Sequence, residues 1–285
     1  MATAMTHADT TARPQAILAL ALALFAAVAF AQPVAVVTDV RGGATLGGAK
    51  APVAMLSPLN AGERVGLAPG AAISVLYYSD GAQFDARGPG VMVVEAAGPR
   101  SDDGASVTAR SARDAPKMRL APTGLVQGAM VMRNLGLRIV APEPQVLALR
   151  PTLAWTDSRT EAVYDAALID RAGVRVFAVT TPERTVALPD SLSLRPGAAY
   201  AVEVTARVRG EAVQVARAEF VVTPDSLRIE ARALAPSPNA EIAERVAYAL
   251  WLDQNSLYDE ARRWWAALAQ ARPDESALRA RAGTP

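Results

Sequence analysis

The 285-residue chain has no cysteine, a single histidine (His7), two lysines (Lys50 and Lys117) and only 5% aromatic residues. Without thiols there is no disulfide framework, zinc–thiolate site or cysteine nucleophile. His7 lies in the first thirty residues, ahead of everything that reads as folded domain. The remainder therefore lacks imidazole, the commonest general base, metal ligand and activator of a serine nucleophile. Charge of one sign is also missing: 29 basic against 28 acidic side chains leave a net +1. So balanced a chain has no basic stripe to release counterions from a phosphate backbone, and no nucleic-acid partner is expected. Nor is there an apolar run of the roughly 20 residues that a spanning helix needs.

What is present begins with an address. Arg13 precedes an apolar run from Ala16 to Phe30, and Ala29-Phe30-Ala31 forms an A-x-A pattern before Gln32. A basic flank, a short apolar core and small residues at the cut predict a secretory signal peptide over 1–31. Retention of this segment as an N-terminal anchor is the alternative. Cleavage would place the chain, without His or Cys, in the bacterial periplasm or outside the cell, with no stable membrane span. No cysteine near the cut is available for lipid attachment.

From Val34 to Val94, short apolar runs alternate with glycine turns. Ile73, Val75 and Tyr77 alternate with Ser74, Leu76 and Tyr78 in a strand that is apolar on both sides, and Asp80-Gly81 predicts the hairpin turn that closes it. Val36-x-x-Val-x-Gly, Leu59-Asn-Ala-Gly62-Glu63-Arg64-Val and Ala72-Ile-Ser-Val-Leu-Tyr-Tyr-Ser-Asp80-Gly81 resemble the FecR-type periplasmic β domain. That resemblance implies an exported β roll over 32–98, and no catalytic residues come with it.

Polar, turn-rich sequence follows over 99–145, read as a linker with one strand at Ala105 to Ala109 and two more candidates between Val126 and Val140. Pro151-Thr-Leu-Ala-Trp155, Tyr164-Asp-Ala-Ala-Leu168-Ile-Asp170 and Leu194-Arg-Pro196-Gly197-x-x-Tyr200 then resemble a fibronectin type III-like sandwich over 146–224. The resemblance implies Trp155 between the sheets and Tyr200 at a corner, rather than either ring on a sugar-stacking platform.

Glycine is absent from Asp225 to Ala282, and the periodicity predicts an α-helical region over 225–285. One helix reads from Leu227 to Leu234, and Asn239 is the expected N-cap of a second reaching Gln254. A third ends before Pro273. Ala249, Ala261, Trp265 and Pro273 are similar to the small, small, aromatic and proline positions of one tetratricopeptide repeat. A single helical hairpin is expected, and whether it docks on the second β domain is left open by the sequence. Trp251, Tyr258, Trp264 and Trp265 crowd this region, and since they cannot all face one seam they form the candidate partner surface.

The expected fold class is therefore mainly β, with a FecR-like roll, a fibronectin III-like sandwich and a C-terminal helical hairpin. No phosphate loop, nucleophile elbow or metal spacing occurs, so no catalytic, cofactor-binding or metal residue is assigned and no cofactor is expected. The function predicted is a non-catalytic exported module that binds, scaffolds or senses in the envelope, its partner another envelope protein. The alternatives are a carbohydrate or peptidoglycan binder, and a glycoside hydrolase using an acid pair among Asp80, Asp85, Asp102 and Asp103.

Overall fold

β-Branched residues at short intervals, cut by glycines free to take positive φ, generate strands and tight turns throughout the first hundred residues. A computed structural model describes residues 32–47, 51–110, 118, 120 and 136–283. The predicted signal segment, His7 and the candidate strand beginning at Val126 lie outside them. The residues from Pro33 onward form one compact unit, mainly β with four helices at its C-terminal end.

Ten strands build the first part: β1 (Pro33–Arg41), β2 (Ala44–Leu46), β3 (Ala51–Pro52), β4 (Pro58–Asn60), β5 (Arg64–Leu67), β6 (Ala72–Tyr77), β7 (Gln83–Arg87), β8 (Gly90–Glu95), β9 (Gly98–Asp102) and β10 (Ser106–Ala109). They pair as two five-stranded antiparallel sheets, β10-β7-β6-β1-β4 and β3-β2-β5-β8-β9. The turn after β6 falls where Asp80-Gly81 predicts it: Gly81 has φ 71°, and the Asp80 carboxylate accepts the Ala82 N–H at 3.0 Å. A Cβ on Gly81 would lie 1.9 Å from the Met118 carbonyl oxygen, so close approach as well as conformation requires glycine there. In the stretch read as linker, β10 falls on the strand expected at Ala105 to Ala109, while β9 was not expected. β9 pairs with β8 and β10 with β7, adding one edge strand to each sheet. Such strands carry polar and turn-type residues because little of their surface is buried.

The second part comprises β11 (Arg138–Ala141), β12 (Gln145–Val146), β13 (Leu153–Thr156), β14 (Val163–Asp170), β15 (Arg175–Thr181), β16 (Thr185–Val186), β17 (Ala199–Val208) and β18 (Glu211–Val222). A three-stranded sheet, β11-β13-β16, faces a five-stranded one, β12-β18-β17-β14-β15. Trp155 and Tyr164 meet edge to face at 5.4 Å between them, while Tyr200 stacks on Phe220 at 5.8 Å. All four rings are buried. The Tyr200 hydroxyl accepts the Arg195 N–H at 3.1 Å, the bond that pins a tyrosine corner. These rings are core, not a platform for sugars.

Four helices follow: α1 (Asp225–Leu234), α2 (Ile242–Gln254), α3 (Tyr258–Ala271) and α4 (Ser276–Ala282). The cap of α2 is Glu241 rather than Asn239, and α4 is an element that the periodicity did not announce. The docking that the sequence left open is on the first β part. Ile242, Val246 to Leu252, Leu257, Ala261, Trp265, Leu268 and Leu278 share one core with Val36, Ile73, Leu76, Met92 and Val94. The reason is local. Ala243 and every residue from Val246 to Leu252 are buried, so α2 has almost no polar face and must be covered all round. β1 and β6 have the matching need, since both faces of each are buried. α2 lies against these two strands, with α3 packed on it from outside. Burying each large apolar side chain contributes about 1.5–3 kcal/mol, far beyond the 0–1 kcal/mol of an exposed ion pair. The helices are thus an integral cap of the first β part.

Candidate interaction surface

Neighbouring residues on a helix point about 100° apart, so Trp264 and Trp265 cannot both enter one seam. Trp265 enters. It is 1% exposed, its indole N–H donates to Asp253 at 2.9 Å, and the Arg281 guanidinium lies 5.8 Å from its ring centre. Arg281 also reaches the same Asp253 oxygen at 3.2 Å. Trp251 is buried as well, stacked on Tyr248 at 6.0 Å. Trp264 is half-buried with its edge on Tyr248 at 5.2 Å, and Tyr258, at the start of α3, is 43% exposed. The four candidate residues therefore divide. Trp251 and Trp265 are interior and unavailable to a partner, because the buried apolar run Val246 to Leu252 of α2 draws the inner face of α3 onto itself; Tyr258 and part of Trp264 remain at the surface.

A cleft of about 160 Å³ opens beside this cluster, lined by Leu147, Arg228, Ala231, Arg232, Ala235 and Tyr248. It forms where α1 and α2 meet the chain leaving β12. Arg228 donates to the Leu147 carbonyl at 2.7 Å and lies 3.6 Å from Asp225. The Tyr248 hydroxyl donates to the Ala231 carbonyl at 3.0 Å, leaving a largely apolar floor. Burial pushes the Tyr248 hydroxyl pKa up, and the charge of nearby Glu260 adds to the shift. Burial likewise raises Glu260, against the pull of backbone N–H groups and Arg263. Desolvation raises Asp253 too, opposed by Trp265 and Arg281.

At the rim, Arg232 is exposed and no hydrogen bond or ion pair engages it among the described residues. Ile229, three residues earlier on α1 and so beside it, is 65% exposed. Sequence reading missed both. The available signal was an isoleucine and an arginine three apart on a helix whose buried residues, Ala231 and Leu234, fall elsewhere. A volume of 160 Å³ is below the roughly 300–1,000 Å³ typical of small-molecule sites and suits a single side chain.

Three of the four acidic residues weighed for hydrolysis are engaged by local partners. Asp85 accepts from Ser74 at 2.6 Å and from Arg110 at 3.1 Å, and Arg110 extends to Glu241 at the start of α2. Asp102 pairs with Arg64 at 2.6 Å, and that bond holds its carboxyl below the usual range. Asp80 caps its own turn, and Asp103 occupies a turn at φ 47°. No cluster of three or more potential metal ligands occurs among the described residues, and no helix among them is long and apolar enough to cross a membrane.

No protein-family model matches the chain, and no curated protein matches it. Among solved structures, a β-glucuronidase from Parabacteroides merdae is 11% identical over 45% of this chain and 26% of its own, with a TM-score of 0.21. A biofilm-associated protein BSP domain is 13% identical over 64% of this chain and 24% of its own, with a TM-score of 0.22. The chain thus spans about a quarter of each. At such scores neither likeness carries an activity or a ligand to this protein.

Proposed function

We propose that this chain is a non-catalytic, exported binding module that docks a protein partner of the bacterial envelope on the outer surface of its helical cap. The observation that carries the reading is Arg232, which lines an apolar hollow the size of one side chain, has no partner among the described residues, and lies one helical turn from the exposed Ile229. Interfaces concentrate their energy in such anchors, with arginine and aromatic groups enriched. A partner offering an apolar side chain flanked by a carboxylate would complement the site. The N-terminal A-x-A pattern supports export. The glycine-punctuated strands support a FecR-like roll for the first part, and the corner at Tyr200 supports a fibronectin III-like sandwich for the second.

The test is affinity capture from a periplasmic extract with wild type, Ile229→Asp and Arg232→Glu as baits. One protein recovered by wild type should bind each variant at least roughly fivefold more weakly, as loss of an interface anchor costs more than about 1 kcal/mol. Equal recovery by all three baits refutes this surface. Trp265→Ala is unsuitable as bait because its indole is core.

A further inference from the structure

β15 is an edge strand of the five-stranded sheet, and β14 is its one partner. Among the strands that close a sheet in the described residues it is the longest, with one register irregularity, at Val176. The outer side of β18, paired with β12 only at Val221 and Val222, is longer but carries Glu211, Arg217 and Glu219. The other closing strands are short, and several carry proline: β3 and β4 contain Pro52 and Pro58, and β9 carries Pro99 beside Arg100. Such devices block unwanted pairing. The sequence of β15, Arg-Val-Phe-Ala-Val-Thr-Thr, is β-branched and aromatic, with no proline and one charge, Arg175, at its start. Along its outer edge alternate residues present unpaired N–H and C=O groups. The strand also overhangs its cover, because five strands face only three. Phe177 and Val179, which register with Leu168 and Ala166 on the core side, are therefore only half-buried.

We infer that two copies of this chain pair through β15, antiparallel about a two-fold axis at Ala178, into one continuous ten-stranded sheet. The orientation follows from charge and shape. Parallel pairing would set Arg175 beside its own copy, whereas antiparallel pairing separates the two by roughly 20 Å, about six residues at about 3.4 Å each. It also places Phe177 of each copy opposite Val179 of the other, an aromatic and β-branched pair that finishes burying both. The contact is self-complementary, as a two-fold interface must be. Joining two seven-residue edges buries little area, so the dimer is a reversible one.

The absence of native cysteine makes the test direct. Sedimentation of the chain purified from the exported fraction should show concentration-dependent dimer. Ala178→Cys places two thiols on residues whose Cα atoms lie about 4.5–5.5 Å apart across the axis, within disulfide reach. Mild oxidation should link that variant quantitatively, while Arg175→Cys should link at least roughly tenfold more slowly, given its separation of about 20 Å. Both positions are exposed, so neither variant threatens the fold. A wild type that stays monomeric at every concentration overturns the inference and leaves this edge to a strand from another protein. Equal cross-linking of the two variants overturns it as well.

Discussion

Replacing Arg272 with methionine should loosen the helical cap and the first β part together. The Arg272 guanidinium leaves the end of α3, donates to Asp39 of β1 at 2.8 Å and to the Val40 carbonyl at 3.1 Å, and pairs with Glu275 at 3.0 Å. The side chains of Arg272 and Asp39 are only 19% and 10% exposed. Methionine keeps the apolar stem but leaves Asp39 with Arg41 alone, a partner 63% exposed and largely screened. Breaking a fully buried pair costs about 3–5 kcal/mol and a hydrogen bond to a charged group contributes about 1.5–3. For this partly exposed site the expected loss is about 2–3 kcal/mol, or roughly 4–12 °C in a domain of this size. Urea denaturation read by tryptophan fluorescence reports the cap, which holds three of the four tryptophans, while far-ultraviolet dichroism reports the sheets. Both signals should shift, and a cycle with Asp39→Asn should give a coupling of about 0.5–3 kcal/mol. A loss below about 0.5 kcal/mol, or fluorescence moving while the strand signal stays, would refute the claim that cap and sheets share one core.

Trp265→Ala should cost about 3–5 kcal/mol in the same assay, whereas Tyr258→Ala should stay within about 0.5 kcal/mol, separating core ring from surface ring. For Glu260 the sign follows from burial, which raises the folded carboxyl above its unfolded value. Its stabilising contribution is whole below the unfolded pKa and lost as pH climbs through the folded one. Glu260→Gln should therefore match wild type in acid and gain on it across the carboxylate range, checked by thermal melts at a series of pH values.

Local pattern made some of this architecture readable and hid the rest. The turn at Asp80-Gly81 and the corner at Tyr200 depend on near neighbours, so they were visible in the chain itself. β9 was not, because an edge strand with Pro99, Ser101 and Asp102 lacks alternation. The seven-residue α4 is too short for a period to emerge. Docking of the helices on the first sheet is a long-range fact. Two clues to it were nonetheless present: β6 is apolar on both faces, and α2 lacks a polar side. Each demanded a cover, and they cover one another. The exposed pair Ile229 and Arg232 had only their spacing on α1 as a signature, since a surface residue is defined by what fails to pack on it.

The same joining of β1 to α2 and α3 has a consequence for how the polypeptide comes to fold. Contacts such as Asp39 with Arg272 close a loop of 233 residues. A nascent chain emerging amino end first must hold β1 and β6 half-uncovered until nearly the last helix has been made. The later sandwich closes its own core from nearer neighbours and is free to mature first. Any shortening of the carboxyl end would leave the earliest strands without their final cover and exposed to aggregation.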